Sequence, residues 1–252
     1  MRTFEFDKLI VNQYDTREEM GKVAASEVAE KIKELLETKQ KISMIFAAAP
    51  SQNEFIKHLI NDNRVDFSRI NAYHMDEYIG LEKEAKQGFG NFLKSRLFDL
   101  VNFKSVNYID GQNPNPQEEC DRYATLLNQQ TIDIVCMGIG ENAHIAFNDP
   151  HVAFFDDKEA VKIVELDMTC RNQQVNDGCF DSLEKVPTHA ITLTIPTLVS
   201  AEHIYCIVPA KTKAMAVKNV VSKEISEAYP ASILRKCHNA RMYIDVDSGS
   251  LI

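Results

Sequence analysis

The chain has 252 residues, of which 44% are hydrophobic and 26% charged, an ordinary globular composition with ample material for a core. A formal net charge of -9 argues against nucleic acid or an anionic membrane as a partner, because either needs a basic surface to displace counterions. No apolar run approaches the roughly 20 residues of a membrane span, and Met1 to Asp7 carries acids where a secretion signal would be basic and then apolar, so a cytoplasmic protein is expected.

Thr16 with Glu19 three residues later forms a capping-box pattern, and Met20, Val23, Ala24, Val28, Ile32 and Leu35 follow at near-helical spacing. Ile42 to Ala48 reads as a central strand, and Ser51 with Glu54 repeats the capping box ahead of a second helix. Strands then alternate with helices: a strand over Arg69 to Tyr73, a helix over Phe89 to Leu100, extended Tyr108-Ile109, and a helix opened by Asn115-Pro116 toward Leu127. Ile132 to Met137 is an apolar run suited to a buried parallel strand.

Residues 150–185 interrupt the alternation, with one strand-like stretch at Val161 to Leu166, and are expected to form an insertion or lid. Further strands are expected over His189 to Ile195, Ile204 to Val208 and Met242 to Val246, with helices starting near Pro196, Ala210 and Pro230. No linker or composition shift divides the chain, so residues 1–252 are expected to form one α/β domain. Its sheet is expected to be doubly wound, Rossmann-like and mostly parallel, with helices on both faces. Six widely spaced cysteines without zinc spacing are expected to be free thiols.

Two strand ends carry the chemistry-bearing residues. The stretch Gly138-Ile-Gly-Glu-Asn-Ala-His-Ile-Ala-Phe-Asn-Asp-Pro150 follows one strand and places Asn142, His144 and Asp149 on its loop. The stretch His74-Met75-Asp76-Glu77-Tyr78 follows another and supplies paired acids. In an open parallel sheet, ligands bind outside the carboxyl ends of strands, which makes both loops site candidates. Histidine exchanges protons near neutral pH, and an adjacent Asn or Asp can fix its ring.

Taken together, Met75-Asp76-Glu77-Tyr78 and Gly138 to Pro150 resemble the glucosamine-6-phosphate deaminase family, and the resemblance extends over most of the chain. It implies an enzyme of the hydrolase/isomerase kind that converts an amino-sugar 6-phosphate, with glucosamine 6-phosphate as leading substrate, to the ketose phosphate and ammonia. By the resemblance, Asp76 moves a proton between sugar carbons, His144 assists ring opening, and Asn142 and Asp149 orient it. The family position of Asp149 is usually Glu. A side chain one methylene shorter predicts a looser or water-bridged contact with His144.

The resemblance implies substrate contacts from Ala48, Ala49, Ser51, Gln52 and Glu77. Arg171 and Lys213 resemble the family's lid arginine and helix-start lysine, with the phosphate as their expected ligand. The turn Ala47 to Gln52 lacks the family's glycines and hydroxyls. No cofactor and no metal is expected, and neither allosteric activation nor a particular oligomeric state follows. A homo-oligomer remains compatible with the family. Lactone hydrolysis is an alternative that Tyr78 disfavours, since lactonases typically have Arg there. A sugar-phosphate sensor without turnover is another.

Overall fold

A computed structural model describes residues 1–252. The first strands, β1 (Arg2–Phe6) and β2 (Leu9–Tyr14), form a hairpin. Thr16 then caps α1 (Arg17–Thr38): its hydroxyl accepts from the Glu19 N–H at 3.1 Å, while the Glu19 carboxylate reaches back to the Asp15 N–H. Met20, Ala24, Val28 and Ile32 form the helix's buried stripe.

Seven elements of the main layers follow: β3 (Ile42–Phe46), α2 (Asn53–Leu59), β4 (Ile70–His74), α3 (Phe89–Leu93), β6 (Ser105–Asn107), α4 (Pro116–Asn128) and β7 (Ile134–Met137), with β5 (Asp76–Tyr78) between β4 and α3. After α3 the chain runs on through a single π turn to Phe98, so the helix expected to Leu100 is present but changes its hydrogen-bond register. C-terminal to β7 come β8 (Val161–Glu165), α5 (Met168–Asn176), β9 (His189–Leu193), α6 (Ile195–Val199), β10 (His203–Val208), α7 (Ala214–Ser222) and β11 (Ala240–Asp245).

Eight strands form the main sheet in the order β1-β2-β11-β10-β7-β3-β4-β6, and every pair except the β1–β2 hairpin is parallel. Alternate residues of β3 feed two cores: Ile42, Met44 and Phe46 pack with α1 and α2, whereas Ile45 packs with α4 and α7 residues such as Tyr123 and Val217. This is the expected doubly wound arrangement, with helices on both faces.

Two expectations are corrected. The strand-like stretches at 161–166 and 189–195 do not extend the parallel sheet; β8 and β9 pair antiparallel with each other, and β9 with β5, in a separate three-stranded sheet. An apolar run reads alike in either setting, and only its partners decide. The capping box at Ser51 does not form either: a 3-10 turn begins at Pro50, Gln52 precedes α2, and Glu54 is drawn into an ion pair with Arg17 at 2.8 Å. All six cysteines are free, and no helix is long and apolar enough to cross a membrane.

Candidate active site

Because the central strands are parallel, their carboxyl ends share one edge, and the chain order reverses between β3 and β7. There the loops after β3, β4, β7 and β10 enclose a cleft of about 1560 Å³. Ala48, Ala49, Ser51, Asp76, His144 and Lys213 line it.

Asp76 sits at the start of β5 and is almost wholly buried. Burial first, and the neighbouring charge of Glu77 second, push its carboxyl well above the usual carboxylate range. Its backbone is held by His74, which is fully buried. The ring Nε2 of His74 accepts from the Ile109 N–H at 2.9 Å, which leaves the proton on Nδ1 to donate to the Asp76 carbonyl at 2.9 Å. Tyr123 locks the same turn by taking the His74 N–H and donating to the His74 carbonyl. Buried in this way, His74 stays neutral, with its pKa lowered to about 4 by desolvation.

Glu77 was expected to touch substrate. Its oxygens instead accept backbone N–H groups of Tyr78, Phe89 and Gly90 at 2.8–3.0 Å, fastening the loop after β5 to the start of α3. Burial raises its pKa and those three bonds work against the rise. The paired acids therefore divide: Asp76 carries no such backbone bonds and faces the cleft, while Glu77 also borders it with its carboxylate committed to the fold.

In the loop after β7, Ala143 and Ala146 adopt left-handed φ values of 65° and 52° on either side of His144. Such geometry is strained for alanine, at roughly 1 kcal/mol or more each, and must be imposed by the surroundings. Gly140 is required for a different reason: a Cβ there would lie 2.1 Å from the His144 ring. The imidazole thus lies flat against bare backbone.

His144 Nδ1 lies 3.0 Å from Asp149 Oδ1, in a contact bent away from the ring N–H direction. The loop brings the shorter acid within direct reach without a bridge, and the looser contact expected of it shows in that bend. Asp149 is fully buried. Burial acts to raise its pKa, but His144, Asn142 and the Asp167 N–H together outweigh that and hold the carboxyl below its usual range. The Asn142 amide donates to Asp149 at 2.9 Å and to Asp167 at 3.2 Å, while its oxygen accepts the His144 N–H at 3.1 Å. Asn142 and Asp149 stand behind His144 rather than on the cleft wall.

The loop is also tied to residues 150–185. Asp167 caps α5 by accepting the Cys170 N–H, and Gln173 on that helix accepts the Glu141 N–H at 2.8 Å. Tyr78 packs against Phe89, Phe147 and Phe180, joining β5, α3, the histidine loop and this segment in one aromatic cluster.

Also on the cleft wall, Lys213 is 6% exposed and forms no ion pair; desolvation lowers its pKa, opposed by the charges of Asp177 and Glu141. A buried ammonium without a counter-ion is costly unless an anion completes it. Its turn begins at Ala210, whose φ of 83° is stabilised by two contacts from its N–H to the Asp245 carboxylate.

Two expected contacts are not on the cleft. Gln52 is buried, donating to the Ile207 carbonyl at 3.2 Å and to the Ser51 hydroxyl, so it braces the turn against β10. Arg171 points its guanidinium to the Leu183 and Val186 carbonyls at 2.8 and 2.9 Å, beside a separate cavity. Sequence reasoning missed Arg17, which lines the cleft while donating to the Pro50 carbonyl at 2.5 Å. An arginine in the first turn of a helix, where the dipole disfavours a cation, was the one available signal.

A sequence model of the family described as glucosamine-6-phosphate isomerases/6-phosphogluconolactonase matches residues 15–243. A glucosamine-6-phosphate deaminase of Bacillus cytotoxicus is 35% identical over 76% of this chain and 71% of its own. One from Bacillus cereus is 34% identical over 87% and 82%. Among solved structures, a monomeric glucosamine-6-phosphate deaminase superposes with a TM-score of 0.88 at 29% identity, covering 96% of this chain and 99% of that one. A 6-phosphogluconolactonase from Thermotoga maritima reaches 0.77 at 16% identity over 94% and 99%, a likeness of fold. With a match over nearly its whole length, and with its histidine loop and paired acids opening on one cleft, the chain belongs to the glucosamine-6-phosphate isomerase/6-phosphogluconolactonase family.

Proposed function

We propose that the protein deaminates and isomerises an amino-sugar 6-phosphate, with glucosamine 6-phosphate giving fructose 6-phosphate and ammonia. The observation that carries this reading is the lining of one cleft, which combines a buried carboxyl of raised pKa, a histidine backed by Asp149, and a buried, unpaired lysine. The relatives named as deaminases support it.

In this scheme His144 uses its cleft-facing Nε2 to move the proton that opens the sugar ring, while Asp149 stabilises the imidazolium. Asp76 takes the proton from C2 and returns it at C1. Water adds at C2, and ammonia leaves. A raised pKa makes Asp76 a stronger base once ionised. Lys213, with the Ala48-Ala49-Ser51 turn, binds the phosphate, and Arg17 flanks them. Residues 150–185 act as the lid of a single domain spanning 1–252. The solved deaminase at 29% identity is described as monomeric, which supports catalysis by a single chain. The cytoplasm is the proposed compartment.

The test is incubation with glucosamine 6-phosphate while ammonia and fructose 6-phosphate are followed together. Coupled products, lost in Asp76→Asn and His144→Gln, are expected. A folded protein that releases neither product from glucosamine or galactosamine 6-phosphate overturns the reading, and hydrolysis of 6-phosphogluconolactone would then replace it.

A further inference from the structure

Behind His144 lies a cluster that the proposed reaction does not use in full. Cys170 occupies the first turn of α5, and its sulfur is completely buried. Ligand atoms of His144, Asp149 and Cys170 all lie within 4.8 Å of one another. A second observation points the same way: His144 Nδ1 is buried yet has no properly directed hydrogen bond, although Asp149 Oδ1 is only 3.0 Å off. A nitrogen lone pair, a carboxylate oxygen and a sulfur thus converge on one point.

We propose that His144, Asp149 and Cys170 form a binding site for a soft divalent cation, best matched by zinc, and that its occupancy switches the active site off. Zinc favours four tetrahedral ligands of N, S and O type, with bonds of about 2.0–2.3 Å, so neighbouring ligand atoms stand roughly 3.3–3.7 Å apart. The cluster meets that spacing with a shift of about an ångström or less. Water from the cleft completes the fourth position past His144, the one of the three that reaches the cleft wall. Hard cations such as magnesium, which favour octahedral oxygen ligands, do not fit.

Binding displaces the Cys170 thiol proton to solvent and places the metal on His144 Nδ1. The ring then keeps its proton on Nε2 and cannot accept a second, so it no longer cycles between imidazole and imidazolium. The cation also bridges the loop after β7 to α5, fixing the helix that Asp167 and Gln173 already tie to that loop.

The test uses the full chain freed of metal with EDTA. Cobalt(II) is expected to bind with one equivalent and a near-ultraviolet thiolate-to-cobalt charge-transfer band, and zinc, titrated against a chromophoric chelator, is expected to displace it. Cys170→Ala should abolish the band and weaken zinc at least tenfold, and His144→Gln should weaken zinc similarly. In the deaminase assay zinc should inhibit the unsubstituted protein reversibly, magnesium should not, and Cys170→Ala should keep its metal-free turnover while resisting zinc. Cys170→Ser with an unchanged thermal midpoint controls for misfolding. Zinc affinity and a cobalt band unaltered in Cys170→Ala would overturn the proposal, placing the metal on other thiols, as would equal inhibition of both proteins. The metal-binding readout does not depend on the reaction: a cobalt band without any deamination would refute the proposed function and leave the cation site standing.

Discussion

Two parts of the cleft wall are built on opposite principles. Around His144 nearly every polar group has a partner inside the protein: Asp149 receives Asn142 and the Asp167 N–H, Asn142 also holds the His144 N–H, and Gln173 takes the Glu141 N–H. Around Lys213 the protein supplies a buried charge and no counter-ion. The first part is held in one geometry by its own partners, which under the proposed function preorganises it for proton transfer. The second is incomplete until an anion arrives, and under the proposed function the substrate's phosphate would supply stability as well as position.

Asp76→Asn should have the largest effect on this contrast. It keeps shape and removes the base, and kcat is expected to fall about 10²–10⁴-fold with KM nearly unchanged, as measured by ammonia release. In the parent protein the raised pKa of Asp76 predicts an acid limb of kcat above the ordinary carboxylate range, since activity is lost as that group protonates.

Gly140→Ala should follow. Its Cβ would stand 2.1 Å from the His144 ring, so the imidazole must leave its bed, and a loss of roughly 10²-fold in kcat is expected while phosphate affinity persists. If kcat is retained, His144 does not work from the orientation described.

Lys213→Met sharpens the other side of the comparison. Removing a buried charge without a partner should raise the thermal midpoint by a few degrees, and KM should rise about tenfold or more, so stability and binding move in opposite directions. A lowered midpoint would mean that the ammonium is already satisfied within the fold.

Two smaller effects test the supports. His74 has its pKa lowered to about 4 from an ordinary 6.5, so the unfolded chain binds the proton first. Its contribution to stability is therefore complete above pH 6.5 and declines as the pH falls from there toward 4, by about 3 kcal/mol in total. His74→Asn should flatten chemical-denaturation stability over that window, though at a cost in stability at neutral pH. Asp149→Glu restores the residue usual in the family, but the loop already places the shorter acid in contact with the ring; a several-fold loss of kcat is expected, and a gain would show that the 3.0 Å contact is not the working one.

Much of this was legible in the chain. The Thr16 cap and the Met20-to-Ile32 stripe fixed α1 by local chemistry, and the apolar runs at β3, β7 and β10 announced a parallel sheet because strands buried on both faces need no polar alternation. Asp76 and His144 are legible as candidates because strand ends in such a sheet open on a ligand crevice, and both line the cleft. The surroundings of other residues rest on packing that sequence does not carry. Asp76 and Glu77 both border the cleft, but Glu77 has its carboxylate taken up by the Tyr78, Phe89 and Gly90 N–H groups, which only the fold brings to it. Arg171 and Gln52 were given cleft roles, but a long side chain takes whichever acceptor tertiary packing brings near, here the carbonyls of Leu183, Val186 and Ile207.

What the sequence determined by itself was therefore the set of elements, their alternation and the two loops that carry titratable groups, since periodicity, capping and turn chemistry act over a few residues. Only the tertiary structure decided the second, antiparallel sheet, the commitment of Glu77 to the fold, the neutral His74 beneath Asp76 and the buried, unpaired Lys213. These depend on which distant segments exclude water from a given side chain, and burial and partner choice are long-range quantities.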